Sequence, residues 1–179
     1  MKSYNKTLRV ILSSLFFALA YVLPFLTGQI PVFGAMLCPM HIPVLLCGFI
    51  CGWQWGLCVG IVVPLLRSLT LGVPAFFPMA VCMSLELATY GAVAGLMHKI
   101  LPHKKPFVYC SLLISMIVGR LVWGGAMFVC LGAVGGQFTL VAFLTSAVIN
   151  AIPGIIAQIV LIPVLVMIFD NPKILKLDE

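Results

Sequence analysis

Acidic residues are nearly missing from this chain: there are 4 in 179, and charged residues of both signs make up only 8%. A soluble domain of that length cannot cover its surface with so little charge, which excludes a water-exposed globule. Familiar catalytic signatures are missing too. The sequence has no glycine-rich phosphate loop closed by Lys and Ser or Thr, no His-Glu-x-x-His zinc signature and no Gly-x-Ser-x-Gly elbow. Glu86 is the single carboxylate inside the apolar stretches, which excludes acid–base chemistry by paired carboxylates. These absences describe a protein that is not an enzyme and that has neither cofactor nor metal.

What fills the chain instead is apolar: 63% hydrophobic residues and a mean hydropathy of +1.24. The bilayer must be its main solvent. A spanning helix takes roughly 20 apolar residues, and punctuation by Pro, Gly and polar residues leaves room for about six of them. The expected fold is an all-α integral membrane protein, one domain over residues 1–179, with six transmembrane helices near 8–27, 40–51, 55–71, 77–98, 107–131 and 138–169. The second and third segments are short, and a helical hairpin or a partly re-entrant element also fits them.

Charge placement orients the chain. Lys2, Lys6 and Arg9, the run His98, Lys99, His103, Lys104 and Lys105, and the tail Lys173 and Lys176 alternate with loops 28–38, 72–76 and 132–137, which carry no charge. By the positive-inside rule this gives an even number of crossings, with the N- and C-termini cytoplasmic. The net charge of +6 is therefore a topology signal and not a nucleic-acid footprint. No small-residue cleavage site follows the first apolar run, so that run is expected to remain as the first helix.

The cysteines at 38, 47, 51, 58, 82, 110 and 130 show no metal-ribbon spacing and read as small buried hydrophobes. Cys47 and Cys51, four apart with Met40 and His41 nearby, form a weaker soft-metal alternative. Gly48, Gly52, Gly56 and Gly60, and then Gly91 and Gly95, recur at every fourth residue, an interval that lets helix backbones approach closely within the molecule. Ser14 and Ala18 form a small-x-x-x-small patch on a first helix otherwise filled with Leu and Phe, a candidate docking surface for another membrane protein.

Ionisable residues inside a membrane cost on the order of 3 kcal/mol each and need a reason. Arg67, Glu86 and Arg120 are such residues, and Asn150 lies at a depth similar to the last two. Together they suggest a cavity open to the outside, with Trp123, one turn after Arg120, as its apolar wall. Two arginines against one glutamate leave a surplus positive charge suited to a carboxylate. The alternative is a structural Glu86–Arg120 pair, with Arg67 snorkelling to the interface. His41, at the start of the second helix, reads equally as a ligand contact or as a helix-start residue bonded to a loop carbonyl.

The run from Pro39 to Phe49 (PMHIPVLLCGF), Gly56 to Gly60, Pro64-Leu65-Leu66-Arg67-Ser68, Phe77-Pro78-Met79-Ala80 and Glu86-Leu87-Ala88-Thr89-Tyr90-Gly91 resembles the substrate-binding S components of energy-coupling factor transporters. The resemblance implies a small membrane-embedded binding protein that captures a water-soluble vitamin or cofactor precursor near the outer face. It also implies partners: a transmembrane T component and two cytoplasmic ATPases. Ser14 and Ala18 match the family's T-component contact, with Ser14 standing where the family pattern has alanine. The loaded protein is expected to reorient as a body, and residues 27–34 would form a lid. Pantothenate is the substrate expected first, met by Arg67, Arg120, Asn150 and Gln137. A deazaguanine-type queuosine precursor is second, with Glu86 accepting from the base and Trp123 or Phe76 stacking on it; folate and thiamine-precursor specificities also fit. Outside the class, a stand-alone secondary carrier would be longer and show related halves.

Overall fold

The computed structural model describes residues 6–28, 38–102, 105–133, 135–136, 139–146 and 150–169, and all of the regular structure among them is helical. Helix α1 runs Lys6–Gly28, α2 His41–Cys51, α3 Trp53–Leu71, α4 Val81–Ile100, α5 Lys105–Ala133, α6 Leu140–Leu144 and α7 Ile152–Phe169. A wide turn at Phe76–Ala80 leads into α4. Phe77 is extended there, as the residue before Pro78 must tend to be.

Five helical stretches among the described residues are long and apolar enough to cross a membrane: Lys6–Phe25, Trp53–Leu71, Phe76–Ile100, Pro106–Ala133 and Ile152–Phe169. The chain is thus a multi-pass membrane protein. Helix α2 falls short. Its 11 residues extend about 16 Å at 1.5 Å per residue, roughly half of the hydrocarbon core. Its limit is set by Gly52, which holds φ at 104° between α2 and α3, a backbone angle that only glycine adopts without strain. The expected segment 138–169 is likewise not one helix: the chain turns at Asn150 and Ala151 and restarts as α7, with Pro153 in its first turn. Proline is accepted there because the first helical amides have no intrahelical partner.

Local rules set the other ends. Gly72, at φ 69°, caps α3 in the left-handed conformation and donates its N–H to the Ser68 carbonyl at 3.0 Å. Helix α4 stops at Ile100 because Leu101 turns extended ahead of Pro102.

Helix α4 is the hub, packing against α2, α3 and α5. Helix α1 leans on α2 and α3, and α7 on α2 and α5. The seam among α2, α3 and α4 is made of glycine. A Cβ on Gly91 would stand 2.4 Å from the Gly56 carbonyl, one on Gly48 2.3 Å from Gly91 O, one on Gly60 2.5 Å from the Leu87 backbone, and one on Gly95 2.6 Å from Gly48 O. The four-residue glycine interval thus marks backbone-on-backbone packing inside the molecule, since any side chain there would force the helices apart. Around the seam lies an apolar core that includes Val44, Leu45, Val63, Leu87, Leu112 and Ile162.

The half-length of α2 has a structural consequence. Its C-terminal turns lie beside Gly91 and Gly95, toward the basic end of α4 that bears His98 and Lys99. Its first residue, His41, is therefore level with Glu86 and Tyr90, inside the bundle and not at its margin.

Candidate functional site

Glu86 is the focus. It faces α5 from the middle of α4, and Tyr90, one turn on, falls on the same face. Its Oε1 accepts from Arg120 Nη1 of α5 at 2.9 Å and from the Tyr90 hydroxyl at 3.0 Å. Glu86 is 2% exposed and Arg120 18% exposed, so the pair is withdrawn from water but Arg120 retains an open side. Its Nη2 lies 3.9 Å from Cys38 Sγ, a weak contact that leaves this nitrogen able to donate elsewhere. A lone buried carboxylate would be costly; the arginine and the phenol together make it tolerable.

His41 completes the group from the start of α2. Its ring centroid is 5.3 Å from that of Tyr90, and Nε2 is 3.5 Å from Glu86 Oε1. That separation is too long for a hydrogen bond, and among the described residues neither buried ring nitrogen has a hydrogen-bond partner. The His41 backbone N–H donates to the Cys38 carbonyl at 3.0 Å, so the main chain is satisfied while the side chain is not. Buried orphan nitrogens are uncommon in native proteins and call for an explanation, such as a ligand or water. Three helices therefore deliver a carboxylate, a guanidinium, a phenol and an imidazole to one spot, held by side chains on rigid elements.

An aromatic wall stands farther along the same seam. Trp123 is buried with Cys82 and Met127, and its ring stacks on Phe143 of α6 at 6.3 Å between centroids and 26° between planes. Gly124 makes room for this: a Cβ on it would strike the Phe143 ring at 2.3 Å. Gly119 does the same for Tyr90, whose ring would be met at 2.3 Å.

The expected site residues thus separate. Glu86, Arg120 and His41 come together, with Trp123 on the neighbouring stripe of α5. Arg67 is taken elsewhere. It is 7% exposed at the far end of α3, donates from Nη1 to the Tyr21 carbonyl of α1, and lies over the rings of Phe25 (4.9 Å) and Tyr21 (5.6 Å). Tyr21 Oη and Thr70 Oγ1, 2.8 Å apart, reinforce the same α1–α3 junction. Asn150 is exposed at the turn before α7, its backbone N–H bonded to the Thr145 carbonyl. Phe76 is exposed on the wide turn. Gln137 and residues 29–34 of the expected lid lie outside the described residues. Ser14 and Ala18 are exposed on α1, and Ser14 lines a groove of about 220 Å³ between α1 and α3, together with Phe17, Trp55, Cys58 and Val62.

The sequence reading missed Tyr90, Cys38 and Phe143. Tyr90 had a signal, since it stands four residues after an intramembrane glutamate. Cys38 and Phe143 had none, because their neighbours are set by chain folding. Of the cysteines read as buried hydrophobes, Cys47, Cys51 and Cys82 are buried, but Cys58 and Cys110 are exposed on apolar helix faces. Among the described residues, no cluster of His, Cys, Asp and Glu could hold a metal, Cys47 and Cys51 included.

The family model for the substrate-specific component of ECF transporters matches residues 8–166. No curated protein and no solved structure matches the chain.

Proposed function

This chain belongs to the family of ECF transporter substrate-specific components, and on that footing we propose that it captures a water-soluble cofactor precursor at the Glu86–Arg120–His41 group for delivery into the cell. Membership makes it a membrane-embedded transport subunit with a small-molecule substrate, working with a T component and ATPases. The finer statements are our reading: six crossings with α2 as the short sixth, both termini inside, a bacterial plasma membrane, and a single domain with no cofactor of its own.

The observation that carries the site is the imidazole of His41, buried beside a carboxylate and a half-open guanidinium with no hydrogen-bond partner for either nitrogen among the described residues. Pantothenate remains our first substrate. The N-terminal, electropositive end of α2 and the open side of Arg120 both suit its carboxylate, and Glu86 suits its hydroxyl and amide donors. Arg67 drops out of that assignment because it is spent on α1, so the cationic surplus is smaller than the sequence count suggests. A deazaguanine-type precursor is the second reading, favoured by the Trp123–Phe143 stack and by the neutralising Glu86–Arg120 pair. Ser14 and Ala18, exposed on α1, are our assignment for the T-component contact.

Mass spectrometry of small molecules released from washed, detergent-purified protein tests the substrate. Pantothenate supports the first reading and a deazapurine the second. Arg120→Ala is expected to weaken pantothenate binding by about 2 kcal/mol or more; unchanged affinity with lower stability would make the arginine purely structural. Uptake that persists without the T component and ATPases would revive a stand-alone carrier.

A further inference from the structure

With the His41 imidazole neutral, the polar group between α4 and α5 carries no net charge, because Glu86 and Arg120 cancel and Tyr90 donates its hydroxyl to the pair. An ionised carboxylate on the open side of Arg120, in the substrate reading above on which this inference rests, adds one negative charge. The place is a poor one for it. Glu86 is 2% exposed and His41 3%, and charge withdrawn from water needs a compensating charge nearby.

The compensating group is already in position. Arg120 Nη1 lies 2.9 Å and His41 Nε2 3.5 Å from the same oxygen, Oε1 of Glu86. A proton on His41 in the ligand-free site sets two cations against one carboxylate. Once a ligand carboxylate engages Arg120, the same proton completes an alternating row of ligand, Arg120, Glu86 and His41, with attraction at each step. Neither ring nitrogen of His41 has a hydrogen-bond partner among the described residues, so the ring can take the proton without giving up a bond to them. The other neighbours are less suited. Tyr90, and Cys38 with its Sγ 3.9 Å from Arg120 Nη2, can gain charge only by losing a proton, and protonating Glu86 would sacrifice its ion pair with Arg120. Of the other helices packed on α2, α7 has no ionisable residue. On α1 and α3, Arg67 donates to the Tyr21 carbonyl at their junction, Lys6 and Arg9 stand at the start of α1, and Cys58 is exposed. Cys47 and Cys51 lie farther along α2 itself.

We propose that His41 makes capture of an anionic ligand electroneutral: as the ligand's carboxylate settles on Arg120, the imidazole takes up one proton from water and turns it toward Glu86. A ligand without charge enters with no proton. By linkage, capture is tighter at lower pH while the ligand stays ionised. The dissociation constant rises by up to about tenfold per pH unit over the range in which His41 is neutral in the free protein and protonated in the complex.

Isothermal titration calorimetry of pantothenate into full-length, detergent-purified protein counts the protons when it is repeated, at each of several pH values from about 5 to 8, in buffers of different ionisation enthalpy. The expected result is uptake approaching one proton per ligand bound, with a dissociation constant that rises with pH. The uncharged alcohol analogue of pantothenate should bind with no uptake. Pantothenate titrated into His41→Gln or His41→Asn protein should likewise take up none, and its affinity should no longer vary with pH. Pantothenate binding to wild-type protein with no proton taken up and no dependence on pH would overturn the coupling and leave the binding reading standing. Uptake that persists in the His41 variants would overturn His41 as the acceptor. Absence of pantothenate binding at every pH would instead overturn the substrate reading, and the coupling with it.

Discussion

Helix α4 has two working faces, and they are built in opposite ways. Toward α2 and α3 it presents Gly91 and Gly95, and contact is backbone on backbone, with no side chain able to move. Toward α5 it presents Cys82, Glu86 and Tyr90, and contact passes through long or polar side chains with an orphan imidazole close by. The first face has one way to pack. The second has donors and acceptors that can exchange protein partners for those of a ligand. A binding protein in a membrane needs both: a frame that holds its helices in register and a seam whose groups are not fully committed.

The contrast can be broken by substitution, and the largest effect belongs to the polar face. Arg120→Ala leaves the buried Glu86 with the Tyr90 hydroxyl as its hydrogen-bond donor and the His41 imidazole 3.5 Å away, and should destabilise ligand-free protein by about 3–5 kcal/mol, read from unfolding in detergent. Neutralising both partners, Glu86→Gln with Arg120→Gln, should recover most of that loss. A loss below about 1 kcal/mol would mean that the seam is wet and not a desolvated pair.

The glycine face comes next. Gly91→Ala places a methyl 2.4 Å from the Gly56 carbonyl, and should cost about 1–3 kcal/mol because the obstruction is backbone and cannot swing aside. Gly125→Ala on α5, where nothing lies within 4 Å, is the matched control and should be neutral or stabilising by up to about 1 kcal/mol. Equal effects at the two positions would remove the case for a tight seam.

Tyr90→Phe deletes only the hydroxyl that donates to Glu86 and should cost about 1.5 kcal/mol by the same unfolding measurement, as a hydrogen bond to a charged acceptor does. The smallest effect belongs to neither face. Arg67→Lys keeps the charge but weakens stacking on Tyr21 and Phe25, with an expected loss of about 0.5–1 kcal/mol. Ligand affinity measured by calorimetry should be unchanged. A weakened affinity would return Arg67 to the binding site and blur the separation drawn between the α1–α3 junction and the α4–α5 seam.

The sequence was informative wherever one residue type permits only one solution. Its low charge and long apolar runs required a membrane. The four-residue glycine interval required close helix packing, although Gly52, read as part of that interval, instead ends α2 at φ 104°. Glu86 and Arg120 stood out because an ionised group in hydrocarbon must have a partner. The length of α2, the break before α7 and the actual partners of Arg67 were decided only by the tertiary fold. Arg67 and Arg120 look alike in one dimension, each a guanidinium within an apolar run. Which of them meets Glu86 and which meets two aromatic rings on α1 depends on the rotation and depth of whole helices, and those are set by the sum of many small packing contacts that no local pattern records.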